Sequence, residues 1–128
     1  MRRVAGGLAV VLALAGAGSC ESIGPVAGVL TVTLKTPNPG ADGAILLTVT
    51  GPAKLTSVTA EPGLRVFALT LSATNRVAVT GPLQNGAILT IGVADLRQAS
   101  QYVATIQAVS TNGFQLRPVS GYSLIIAQ

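Results

Sequence analysis

A single cysteine, four side-chain carboxylates and no histidine make up the reactive inventory of this 128-residue chain. Without histidine, the Ser-His and Cys-His arrangements of nucleophilic catalysis and the His-containing zinc sites are excluded. Glu21 lies in a spacer, and Asp42, Glu61 and Asp95 fall in predicted turns, where a solvated carboxylate is the ordinary outcome. Glycoside hydrolysis needs two carboxyl groups facing one another, so an enzyme acting on glycans would have to bring two of these three within about 10 Å. The loop "PNPGADG" collects Asn38, Asp42 and backbone carbonyls, oxygens of the kind calcium takes, but calcium loops use several carboxylates and this one has one. Lys35 and Lys54 have no serine at the spacing of a Ser-Lys dyad and read as surface charges. No catalytic residue, cofactor or metal is expected.

The cysteine, Cys20, closes the stretch "AGAGSC". Before it come a positive start, Met1-Arg2-Arg3, and an uncharged apolar run from Val4 to Ala17, which is the layout of an export signal. That run is shorter than the roughly 18 to 20 residues a spanning helix needs, and no later segment reaches that length without polar interruption. Two cleavage readings compete. Ala15-Gly16-Ala17 fits ordinary signal cleavage, releasing a soluble chain that begins at Gly18. Ala17-Gly18-Ser19-Cys20 resembles a bacterial lipobox, with Ala17 where leucine is usual. That resemblance implies lipidation of Cys20 and an extracytoplasmic domain tethered to the cell envelope, inner or outer membrane left open. Two or three acyl chains hold a membrane durably where one does not. A lone cysteine cannot close an internal disulfide, and "CESIGPVAG" lacks the periodicity of a core element.

Charge and composition narrow the partners. The formal charge of +4 includes Arg2 and Arg3, and the chain from Cys20 onward holds six cations against four carboxylates. Those cations are spaced singly, with no run that would track a phosphate backbone, so nucleic acid is not an expected partner. At 49% hydrophobic, the chain is too apolar to be disordered.

From residue 29 onward the hydrophobic period is two, the signature of half-buried strands. Leu30, Val32 and Leu34 alternate with polar residues, as do Ile45, Leu47 and Val49 against Leu46, Thr48 and Thr50. Val77 and Val79, then Tyr102, Ala104, Ile106 and Ala108, then Tyr122, Leu124 and Ile126 repeat the pattern. Turn pairs such as Gly51-Pro52, Pro62-Gly63, Gly81-Pro82 and Asn85-Gly86 divide the runs, and Asn112-Gly113 gives the strongest hairpin signal. Only Val93–Gln101 offers a helical turn, with Asp95 near its start. Eight or so short strands at this spacing predict an all-β fold, an antiparallel β-sandwich preceded by a cleaved signal helix. The words "GAIL" (43–46 and 86–89) and "VTGP" (49–52 and 79–82) recur without a common period and on opposite strand parity, which is hairpin vocabulary and not a solenoid. The expected organisation is a signal peptide over 1–19, a tether over 20–28 and the sandwich over 29–128. Phe67, Phe114, Tyr102 and Tyr122 lie in strand runs and are expected in the core.

The order "DGAILLTVTGPAKLTSVTAEPG" followed by "NGAILTIGV" resembles cohesin-type and related immunoglobulin-like bacterial sandwiches, over about residues 29 to 93. The resemblance implies an immunoglobulin-like or cohesin-like fold and a general binding role, and carries over no functional residue. The expected function is that of a non-catalytic, lipid-anchored envelope module that binds a protein or a polysaccharide, with a plain spacer domain close behind. The alternatives are the glycan-acting enzyme above and, if Cys20 is not lipidated, a soluble secreted binding domain.

Overall fold

Alternating side chains let each apolar run turn one face to a shared core and the other to water. The computed structural model describes residues 24–70 and 73–128. The expected signal peptide, Cys20 and the first residues of the tether lie outside them. In chain order the strands are β1 (Gly28–Lys35), β2 (Asp42–Thr50), β3 (Ser57–Ala60), β4 (Arg65–Thr70), β5 (Thr74–Leu83), β6 (Gly86–Val93), β7 (Val103–Thr111), β8 (Leu116–Arg117) and β9 (Ser123–Ala127). A 3-10 helix, Leu96–Gln101, separates β6 from β7. The strands form two antiparallel sheets, ordered β9-β1-β6-β3 and β4-β5-β2-β7-β8. The chain stays within one sheet only at the β4–β5 and β7–β8 connections and otherwise crosses between them. The architecture is the expected all-β one of two sheets around one core.

That core is the set the alternation selects: Leu30, Val32 and Leu34 of β1, Ile45, Leu47 and Val49 of β2, Val77 and Val79 of β5, and Leu89, Ile91 and Val93 of β6 are all buried. Two bulges then alter the count. On β6, Ile88 is an extra residue between the partners of Val32 and Thr33, which lets both Ile88 and Leu89 turn inward. On β7, Ile106 pairs with Leu47 and Ala108 with Leu46, so Gln107 is the inserted residue and parity flips beyond it. Val109 is therefore buried, while Ala108, expected on the inner face, shares the outer face with Leu46.

Turn chemistry follows the sequence. Leu64 donates its backbone N–H to the Glu61 carbonyl at 3.0 Å, and Gly63 between them has φ of 86°, the left-handed position that a Pro-Gly turn reserves for glycine. Asp95 caps the 3-10 helix by accepting from the Arg97 N–H, as its place before that segment predicts.

Tyr102 is buried as expected, its ring lying where a Cβ on Gly51 would come within 2.3 Å. Among the described residues its hydroxyl has no hydrogen-bond partner, and burial raises the phenol above its ordinary pKa. An unpartnered buried hydroxyl costs about 1–3 kcal/mol of desolvation that phenylalanine does not incur. Tyr102→Phe is accordingly expected to leave stability unchanged or raise it by about 1 kcal/mol, read as an upward shift of the urea midpoint at constant m.

Candidate functional site

Two of the three candidate carboxylates, Asp42 and Asp95, are held in separate structural roles. Asp42, expected in a solvated turn, is the first residue of β2 and is fully buried. Its Oδ2 accepts hydrogen bonds from Tyr122 Oη at 2.7 Å and Thr36 Oγ1 at 3.0 Å, and its Oδ1 accepts from Arg117 Nε. Asn38 Nδ2 donates to Tyr122 Oη at 2.9 Å, and the Thr36 N–H donates to Asn85 Oδ1 at 2.7 Å. The network thus ties the β1–β2 loop and the β5–β6 turn to β8 and to the start of β9. A calcium ion on Asp42 would have to displace the guanidinium of Arg117, and among the described residues no three His, Cys, Asp or Glu side chains converge.

Asp95 sits at the opposite end of the sandwich, past the end of β6 that pairs with the start of β1. The nine residues of β2 lie between the two ends, a span of about 30 Å at ordinary strand rise. Arg97 donates from Nε and Nη2 to the two Asp95 oxygens, both at 3.1 Å, and the Val26 N–H adds a bond of 3.3 Å. The hydrogen bond from the Arg97 side chain is the largest cause that lowers the Asp95 pKa to about 2, so the group is ionised at neutral pH and is no proton donor there. Asp42 and Asp95 therefore cannot face one another across a sugar. Glu61 shares the Asp42 end, opening the β3–β4 turn, while both oxygens of Asp42 are already committed to protein donors.

The surface that stands out is the outer face of the five-stranded sheet. Side chains opposite one another in the register share a face, so three rows cross it. The first runs Arg65, Thr80, Ala44, Ser110, Leu116; the second Phe67, Ala78, Leu46, Ala108; the third Leu69, Arg76, Thr48, Thr105. Phe67 is 62% exposed and Leu116 80%, with Leu46, Leu69 and Val103 exposed beside them. Phe67 is thus not the core residue its strand position predicts. A cluster of large apolar side chains on one face of a soluble domain marks an interaction surface more often than chance scatter does.

The face is also indented, because small residues stand between large ones. A depression of about 110 Å³ lies over Ala44, Ala78, Ala108 and Ser110, walled by Leu46 and Leu116. A second, of about 310 Å³, adjoins it over Gly43, Ala44 and Thr80, walled by Pro82 and Phe114.

Phe114 reaches that wall from the β7–β8 hairpin. Its N–H donates to the Thr111 carbonyl at 3.1 Å, and the Thr111 N–H donates to the Gln115 carbonyl at 2.8 Å, giving a three-residue loop whose last member, Phe114, has φ of 65°. The hairpin forms at Asn112-Gly113 as expected, but phenylalanine and not glycine takes the left-handed position, at a cost of about 1–2 kcal/mol. Thr111 Oγ1 offsets this by accepting from the Gly113 and Gln115 N–H groups at 3.1 and 3.2 Å. The result is a ring that is 93% exposed, where the sequence places it in the core.

Among the described residues the rows of this face carry two cations, Arg65 and Arg76, and no carboxylate. Among the described residues the ion pairs are Arg97–Asp95 and Arg117–Asp42, neither of which involves either arginine of the face. A sequence signal for this surface does exist: "AILL" and "RVFAL" are apolar at both parities, which in an antiparallel sheet makes both faces apolar. Comparison of the chain with family models, with curated proteins and with solved structures finds no match, so the reading of this face rests on its own geometry.

Proposed function

We propose that this chain is a lipid-anchored, non-catalytic β-sandwich of the bacterial envelope that binds a protein partner through the outer face of its five-stranded sheet. The observation that carries the reading is the row Phe67, Ala78, Leu46, Ala108, apolar surface that runs from the edge strand β4 across the middle of the sheet, with Phe67 and Leu46 exposed. An immunoglobulin-like or cohesin-like variant of the sandwich fits the frequent crossing between sheets. It also fits the segment from Leu55 to Gly63, in which Leu55 is buried, Val58 packs against the core and Pro62-Gly63 makes the turn. Both carboxylates with defined partners serve as structural ties, which favours binding over hydrolysis.

The tether follows from connectivity. The eight residues from Cys20 to Ala27 reach at most about 29 Å, and they join β1 at its Gly28 end. The Asp42 network and Phe114 occupy the other end and face away from the anchor. Intact mass of the mature N-terminal peptide from the membrane fraction of a bacterial host tests this. The wild type is expected to begin at a diacylated or triacylated Cys20, and Cys20→Ala to leave the membrane fraction. A wild-type peptide that begins at Gly18 with a free thiol would remove the anchor and leave a secreted binding domain.

A further inference from the structure

We infer that the partner presents an acidic segment, with carboxylates that engage Arg65 and Arg76 and large apolar side chains seated in the two depressions. The inference rests on the outer face being the binding surface, and it specifies what that surface takes.

Three observations lead to it. First, Arg65 stands opposite Thr80 on β5, four residues from Arg76 on that strand, so the two backbone positions lie about 13 Å apart along the strand direction. The apolar row from Phe67 to Ala108 crosses the sheet between them. Second, the face supplies no carboxylate to either arginine, whereas the Arg97 and Arg117 guanidinium groups each have one. An arginine beside apolar surface is the residue best suited to take a carboxylate bidentately from a partner. Third, Ala44, Ala78, Ala108 and Ser110 leave hollows beside Leu46, Leu116 and Phe114, and hollows receive side chains.

Charge chooses among the occupants. A second copy would bring the same cations against these cations with no acid on either side. A bilayer surface would meet the protruding Phe67, Leu116 and Phe114 but leave the hollows floored by alanine unfilled. An acidic protein segment with apolar anchors satisfies both the charge and the relief.

Selection of displayed random twelve-residue peptides on the full-length chain is the test, with Arg65→Glu/Arg76→Glu and Phe67→Ser/Leu46→Ala as parallel targets, each confirmed by an unchanged melting curve. The expected result is enrichment of peptides that combine large apolar residues with Asp or Glu. Their affinity should fall at least tenfold on the charge-reversed variant, which in turn should select Lys- or Arg-bearing peptides. Peptides that require Phe67 and Leu46 but show no acidic enrichment, or that bind the charge-reversed variant equally, overturn the inference and leave the binding face standing. Absence of any peptide that depends on Phe67 and Leu46 overturns the binding face itself. Anionic phosphatidylglycerol vesicles bound through Arg65 and Arg76, or self-association lost in the Phe67 variant, would replace the acidic segment with a membrane or a second copy and so overturn the inference.

Discussion

Arg117→Leu is expected to lower the unfolding free energy by about 3–5 kcal/mol, the cost of leaving a buried carboxylate without its counter-ion. Asp42 is fully buried, while the Arg117 side chain keeps 28% of its surface exposed, so the two partners are not equivalent. Removing the arginine strands a charge that water cannot reach, with only the hydroxyls of Thr36 and Tyr122 left to it. Removing the carboxylate lets the guanidinium turn to solvent, so Asp42→Asn should cost less. In the double variant Asp42→Asn/Arg117→Leu, the loss should fall short of the sum of the single losses, the signature of one coupled network. Urea unfolding at constant m reads all three variants. A loss below about 1 kcal/mol for Arg117→Leu would mean that the pair behaves as an exposed one. The expected loss is a large share of the 5–15 kcal/mol that keeps a domain folded. It should be felt at the outer face of the five-stranded sheet as well, because Arg117 fixes β8, and β8 carries Leu116 beside the first depression.

The strands were legible because each core face needs only period two, and Leu30, Val32 and Leu34 or Ile45, Leu47 and Val49 supply it without interruption. The bulges were not. An extra residue at Gln107 or Ile88 is defined by the partner strand, and nothing local marks where parity will flip. Asp42 was misplaced for a similar reason: its partner Arg117 is 75 residues away, and a carboxylate in "PNPGADG" looks like a turn residue until that partner arrives. The apolar outer face was partly visible in "AILL" and "RVFAL", but a count that assigns one parity to the core leaves the other parity to solvent. Leu46 and Phe67 show that an apolar residue on the wet parity is itself a signal. The turns at Pro62-Gly63 and Asn112-Gly113 were legible as turns, yet the strained Phe114 was not, since glycine stood next to it as the better candidate. Cys20, the residue on which the cellular reading depends, is read from order and composition alone and lies outside the described residues.

Leu46 and Leu47 form a matched pair of adjacent, chemically identical side chains that face opposite ways. Leu47 is fully buried between the sheets, so Leu47→Ala is expected to cost about 2.7–5 kcal/mol through lost burial and the cavity left behind. Leu46 is 41% exposed and lines the apolar depression beside Leu116, so Leu46→Ala should cost under about 1 kcal/mol in the isolated domain. Partner affinity should show the opposite order. Truncating a hot-spot side chain at the centre of an interface costs about 2 kcal/mol or more of binding free energy, roughly a thirtyfold loss, which is the effect expected of Leu46, while Leu47 lies between the sheets. Denaturant unfolding and titration with a selected peptide, made on the same two variants, therefore separate the core from the face. If Leu46→Ala proved as destabilising as Leu47→Ala, the outer face would have to be covered within the folded chain and would not be free to bind. If it left both stability and affinity untouched, the exposed row would be surface without function, and the role of the domain would have to be sought at its edges.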